Sequence, residues 1–168
     1  MRIFNLLFIA TSLLVSFSSV ANEKADKSAV SFDTPKKFRD IRASDESQKR
    51  FTSRLQKKLY DYVQRLSKDL PEGHSLNIVF TDIDLAGRVE YNFTMSREIR
   101  VVKHHDWPRL NFKAELLKGG NVIKSESVEL KDLAFMDRSF VGYSSGDTLR
   151  YEKRMLKDWF RKELLNSI

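Results

Sequence analysis

The sequence predicts a two-layer α+β domain over residues 29–168, with a mainly antiparallel sheet of five or six strands and two helices packed on one of its faces. Three observations lead there. Phe51, Leu55, Leu59, Tyr62, Leu66 and Leu70 recur at spacings of three and four, the period of a helix with one buried side. Between Ser75 and Leu130 the apolar period shortens to two, as in strands with one wet face. Leu149, Leu156, Trp159, Phe160 and Leu164 then restore the helical period.

Each element has its own signal. "AVSF" (Ala29 to Phe32) is a short strand closed by the turn signal "DTP". The first helix starts near Asp45, where Gln48 three residues on resembles a capping box, and stops at Pro71 and Gly73. "SLNIVFTDIDL" alternates into Ala86-Gly87, and "VEYNFTM" puts Val89, Tyr91, Phe93 and Met95 on one face. "EIRVVK" is a further short strand. "RLNFKAEL" points Leu110, Phe112, Ala114 and Leu116 inward, and "KGGN" turns the chain into "VIKSESVEL", whose mixed polar faces suit a sheet edge. The second helix opens after "YSSGDT", capped by Asp147 or Thr148.

The first 21 residues have the parts of a cleavable secretory signal: Arg2, an apolar stretch from Ile3 to Val15, and small residues ending at Ala21. Ser16, Ser18 and Ser19 cut the apolar run short of the roughly 20 residues that span a bilayer. No later stretch is apolar enough to do so. Residues 22–28 are a polar, flexible segment, and the expected location is the periplasm. The chain has no cysteine, so an exported product relies on its core alone, without disulfides. Lys and Arg number 30 against 23 Asp and Glu; losing Arg2 with the leader lowers the net charge from +7 to +6. That surplus favours anionic partners without choosing among them.

The stretch "TDIDLAG" (Thr81 to Gly87) raises the central chemical question. Strict alternation puts Asp82 and Asp84 on the face of Leu76, Ile78 and Phe80, roughly 7 Å apart along the strand. Two carboxylates so placed need cations or donors, or one takes up a proton. A structural reading has Asp84 bonding the turn that follows, while Asp82 pairs with Arg109 or Arg150. A catalytic reading is a metal-assisted hydrolase built from Asp82, Asp84, His104 and Asp106, with His104 and Asp106 on one strand face. No dense ligand spacing such as H-x-x-x-H supports it. No G-x-S-x-G motif or glycine-rich phosphate loop is present either.

Two further clusters are candidates for contact. In "HHDWPR", His104, Trp107 and Arg109 could meet a ligand, Trp107 by stacking and Arg109 by bidentate recognition of a carboxylate or phosphate. A Trp at a strand break also commonly fills core space. An aromatic residue before Pro108 raises the chance of a cis bond. On the first helix, Arg50, Arg54, Lys57, Lys58, Arg65 and Lys68 make a basic strip interrupted by Asp61. It is either a solvated face or a contact for an anionic polymer or lipid surface, and the lack of interleaved aromatics speaks against single-stranded nucleic acid.

"TDIDLAG", "IRVVK", Pro108-Arg109, "LKDLAFM" and above all "LRYEKRMLKDWFRKE" resemble a proteobacterial exported family, domain of unknown function 3016. The likeness spans nearly all of the chain after the leader. It implies export and a single domain, and supplies no catalytic residues. "HHDWPR" departs from the family's aromatic-proline-proline pattern. The expectation is therefore a non-enzymatic binding or accessory module of the cell envelope, without a cofactor, whose partner is an envelope protein or an anionic envelope component.

Overall fold

The computed structural model describes residues 27–139 and 146–168. The predicted leader, residues 22–26 of the segment expected to be flexible and the first residues of "YSSGDT" lie outside the described residues.

Strand β1 (Ser28–Phe32) leads through a 3-10 turn (Pro35–Lys37) to helix α1 (Gln48–Ser67) and strand β2 (His74–Asp84). Strands β3 (Arg88–Asn92) and β4 (Arg97–Val101) form a hairpin, β5 (Arg109–Lys118) and β6 (Asn121–Lys131) a second one, and helix α2 (Arg150–Trp159) follows. One turn of π-helix (Phe160–Leu164) and a 3-10 turn (Leu165–Ser167) prolong α2.

The fold is α+β with mostly antiparallel strands, but the six described strands are divided. Four form one sheet in the order β1-β2-β5-β6, and β3-β4 stand apart as a two-stranded ribbon. β1 runs parallel to β2. A parallel neighbour needs a crossover connection, and α1 provides it. β6 is an edge strand, in keeping with its mixed faces. The ribbon also changes the expected role of "VEYNFTM": β3 ends at Asn92, and Phe93 and Met95 lie exposed at its tip.

Both helices cover one face of the sheet. Leu76, Ile78 and Phe80 of β2 and Leu110, Phe112, Ala114 and Leu116 of β5 share a core with Leu55, Leu59, Val63 and Leu66 of α1 and Leu156 and Trp159 of α2. Phe112 meets Trp159 edge to face, with ring centroids 4.8 Å apart. The cap of α1 differs from expectation. Ser47 caps the helix through its hydroxyl, whereas the Gln48 side chain reaches back to the Ala43 amide and the Ile41 carbonyl. Asp147 accepts the Leu149 amide just before α2, yet the cap position itself is Leu149.

A smaller core of Ala86, Phe135 and Tyr151 sits beside the main one, with Trp107 packed on it. Phe135 belongs to the "LKDLAFM" segment after β6, and Tyr151 opens α2.

Two glycines hold left-handed backbone at turns, with different surroundings. Gly120, in the two-residue turn between β5 and β6, has φ +83, and a β-carbon there would stand in open space. Gly87 has φ +79, and a β-carbon there would stand 2.3 Å from the Val101 carbonyl oxygen. Gly120→Ala should therefore cost only the left-handed penalty of about 1–2 kcal/mol. Gly87→Ala should cost more, because the β2–β3 turn would be forced away from β4. Urea unfolding of both variants checks the ordering.

Candidate functional site

The site begins with an irregularity in β2. Phe80 is opposite Phe112 and Asp82 is opposite Asn111, so Thr81 is an extra residue and forms a β-bulge. Past it the alternation reverses. Ile83 turns inward opposite Leu110, with Leu85 following it into the core, while Asp82 and Asp84 turn to the opposite face beside Asn111 and Arg109. The acid pair thus does not continue the apolar face of Leu76, Ile78 and Phe80; the bulge moves it to the other side.

The segment after the 3-10 turn runs alongside this end of β2. Asp40 donates its amide to the Ile83 carbonyl, and its own carbonyl accepts the Leu85 amide. Arg39 is thereby laid over both acids. Its backbone N–H donates to Asp82 at 2.8 Å, and its guanidinium lies 3.6 Å from Asp82 and 3.9 Å from Asp84. Arg109 Nε is 3.9 Å from Asp84 on the other side. Burial pushes the Asp84 carboxyl above its ordinary range, opposed by Arg109 and Arg39.

The β3–β4 ribbon closes the opposite wall. Arg100 of β4 grips both carboxylate oxygens of Asp40, at 2.9 and 3.2 Å, and donates to the carbonyls of Gly87 and Arg42. Arg88 donates to the buried Asp106 at 2.6 Å. Together these segments enclose a cleft of about 550 Å³, to which Arg39, Arg42, Arg88 and Arg109 contribute cations and Asp40, Asp84 and Asp106 carboxylates. Leu85, Gly87, Val89, His105 and Trp107 complete its lining. Among the described residues, three buried polar atoms of the lining have no hydrogen-bond partner: Trp107 Nε1, Arg109 Nε and Asp106 Oδ2.

The family described as "Protein of unknown function (DUF3016)" matches residues 26–162, most of the chain. This chain belongs to the DUF3016 family. Comparison with curated proteins and with solved structures returned no match.

The remaining sequence-predicted residues of this DUF3016 chain fall in several places. The arginine over Asp82 is Arg39, whereas Arg150 places its guanidinium on the Tyr151 ring, 4.9 Å from its centroid. Asp84 does not serve the turn amides: Ala86 N–H donates to Glu152, Leu85 N–H to Asp40 and Gly87 N–H to Asp106. His104 and Asp106 do not share a strand face, since β4 ends at Val101 and residues 104–106 form a turn that exposes His104 and buries Asp106. Among the described residues no group of three or more His, Asp or Glu is placed to hold a metal ion. Trp107 joins the smaller core, with Arg109 and Lys131 each 5.5 Å from its ring centroid. The Trp107–Pro108 bond is trans. On α1, Arg50, Arg54, Lys57, Arg65 and Lys68 are exposed and Lys58 is half-buried; Lys57 pairs with Asp61, and Arg65 lies on Tyr62.

The sequence reading missed Arg39, Asp40, Arg42, Arg88 and Arg100. Only their charge marked them, and charge is common in this chain. It also missed the buried polar run of α2, which holds the cleft from behind. Glu152 is fully buried and accepts the Ala86 amide at 2.8 Å, fixing the turn that carries Gly87. Lys153 donates to Asp147 at 2.6 Å. Arg154 donates to Asp132 and to the carbonyls of Phe135 and Arg138. A buried pair such as Arg154–Asp132 adds little net stability, but losing one partner costs about 3–5 kcal/mol.

Burial pushes the Glu152 carboxyl upward, against the Ala86 amide that favours its charged form. The folded chain therefore keeps this proton to higher pH than the unfolded chain, whose group titrates near 4.5. Its stabilising contribution is complete below that value and is lost as pH rises through the folded pKa. Glu152→Gln keeps an acceptor for Ala86 and carries no charge. As pH rises above about 4.5 the parent protein should lose stability that this variant retains, measured by urea unfolding at each pH.

Proposed function

We propose that this DUF3016 chain is an exported, non-enzymatic accessory module of the cell envelope that holds an anionic group of an envelope component in the arginine cleft. The observation that carries this reading is the state of the donors around the cleft. The guanidinium groups of Arg39 and Arg109 stand 3.6–3.9 Å from their carboxylates, beyond hydrogen-bond reach, and among the described residues Arg109 Nε and Trp107 Nε1 have no hydrogen-bond partner. Loose, half-exposed pairs contribute only about 0–1 kcal/mol each, so exchanging them for a phosphate or carboxylate oxygen costs little. Guanidinium forks match either anion bidentately. The leader-like first 21 residues and the +7 charge of the chain support an exported protein that meets anionic surfaces. No described helix is long and apolar enough to cross a membrane.

The test compares the cleft with the basic strip of α1. Purified protein without the leader is sedimented with phosphatidylglycerol vesicles, with isolated peptidoglycan and with DNA at rising salt. Retention on vesicles or peptidoglycan should fall with salt. It should weaken at least about tenfold in Arg39→Gln, the loss of one charged hydrogen-bonding group. Lys57→Gln, on the strip, should leave retention unchanged. If Lys57→Gln weakens retention and Arg39→Gln does not, the helix face is the contact. Retention by DNA alone, or by none of the three, overturns the reading. Cell fractionation with detection of the shortened chain checks export.

A further inference from the structure

A second, smaller cavity lies between α1, the β2–β3 turn and the start of α2. Its volume is about 120 Å³. It shares Arg42 and Leu85 with the cleft, but its character is different. Phe51, Leu55, Leu85 and Leu149 form apolar walls, and three of these four side chains are otherwise part of the buried core. Around them stand the cations Arg42, Arg54, Lys58 and Arg100.

Three of those cations are already committed. Arg42 pairs with Glu98, Arg54 with Glu46 and Arg100 with Asp40. Lys58 differs. Its ammonium donates to the Thr148 hydroxyl at 3.1 Å, and among the described residues no carboxylate lies within ion-pair distance of it. The nearby acid Asp147 is held by Lys153 at 2.6 Å. An ammonium at the mouth of an apolar cup, carried by a half-buried lysine and with an exposed hydroxyl beside it, is matched by a carboxylate attached to a hydrocarbon group. The cup limits the size of that group. A cavity of about 150 Å³ holds benzene, so this one suits a branched group of about four carbons, the size of a leucine side chain.

We propose that this cavity is a binding site for a small apolar carboxylate, with the hydrocarbon against Phe51, Leu55, Leu85 and Leu149 and the carboxylate on Lys58 Nζ and the Thr148 hydroxyl. Two sources present that chemistry: the C-terminal leucine or isoleucine of a peptide, and a free short branched fatty acid. Either ligand is small, which sets the affinity in the millimolar range.

The experiment is an amide chemical-shift titration of the whole chain without its leader. The probes are N-acetyl-leucine, N-acetyl-leucinamide and 4-methylpentanoate, each to roughly 20 mM. N-acetyl-leucine should move the amides of Leu149, Leu55 and Leu85 with a millimolar Kd. The uncharged amide should bind at least about fivefold more weakly, and Lys58→Gln should abolish that preference for the acid. Equal binding of both carboxylates means that the site reads the shared chemistry; a preference for one identifies the source. The proposal fails if no carboxylate binds. It fails equally if the acid and amide bind alike, if Lys58→Gln changes nothing, or if the shifts map to the arginine cleft. Because Arg39→Gln leaves this cavity intact, that variant should bind N-acetyl-leucine as the parent does.

Discussion

The extra residue at Thr81 decides what the end of β2 can do. Without it, the alternation that buries Leu76, Ile78 and Phe80 would carry two carboxylates into the layer between sheet and helices. With it, Ile83 and Leu85 continue the core and both acids emerge on the other face, within reach of Arg39 and Arg109. A one-residue insertion thereby converts a costly burial of like charges into an ordered rim of alternating charge. The same reversal aligns β2 with the Arg39–Asp40 segment, whose backbone bonds extend the sheet beyond β1.

Helix α2 supports that rim with polar rather than apolar contacts. Glu152, Lys153 and Arg154 are consecutive, and all three are buried. They reach in different directions: to the turn after β2, to the entry of α2 itself, and to the segment after β6. Buried polar groups are costly unless each is paired, so such a cluster tolerates few alternative arrangements. This explains physically why so charged a stretch as "LRYEKRMLKDWFRKE" forms an interior helix. The ribbon of β3 and β4 is attached by analogous means. Arg100 binds Asp40 bidentately and caps two carbonyls, so a hairpin outside the main sheet still makes a stable wall of the cleft.

Much of the architecture was legible from local pattern. Both helices, the alternating faces of β5, the edge character of β6 and the double-glycine turn appear where the residues indicate, because amphipathic period and turn chemistry act over short distances. The candidate site was less legible. Asp84, Trp107 and Arg109 were recognised as chemically capable residues and do line one cleft. Arg39, which reaches Asp84, comes from a segment far away in sequence, and nothing local distinguishes it from other surface arginines. His104 illustrates the opposite error: a spacing of two from Asp106 suggested a shared strand face, but a turn at residues 104–106 separates exposed from buried.

The amino-acid sequence by itself determined the α+β class, the order of the elements and most of the core, since each follows from hydrophobic period and from residues that stop a helix or allow a turn. Only the tertiary structure decided that β1 runs parallel, that β3 and β4 leave the sheet, and that Asp82 meets Arg39 instead of Arg109 or Arg150. Those outcomes depend on which distant backbone lies alongside β2 after its bulge. A bulge leaves almost no mark in composition or period, yet it assigns every later side chain of the strand to one face or the other.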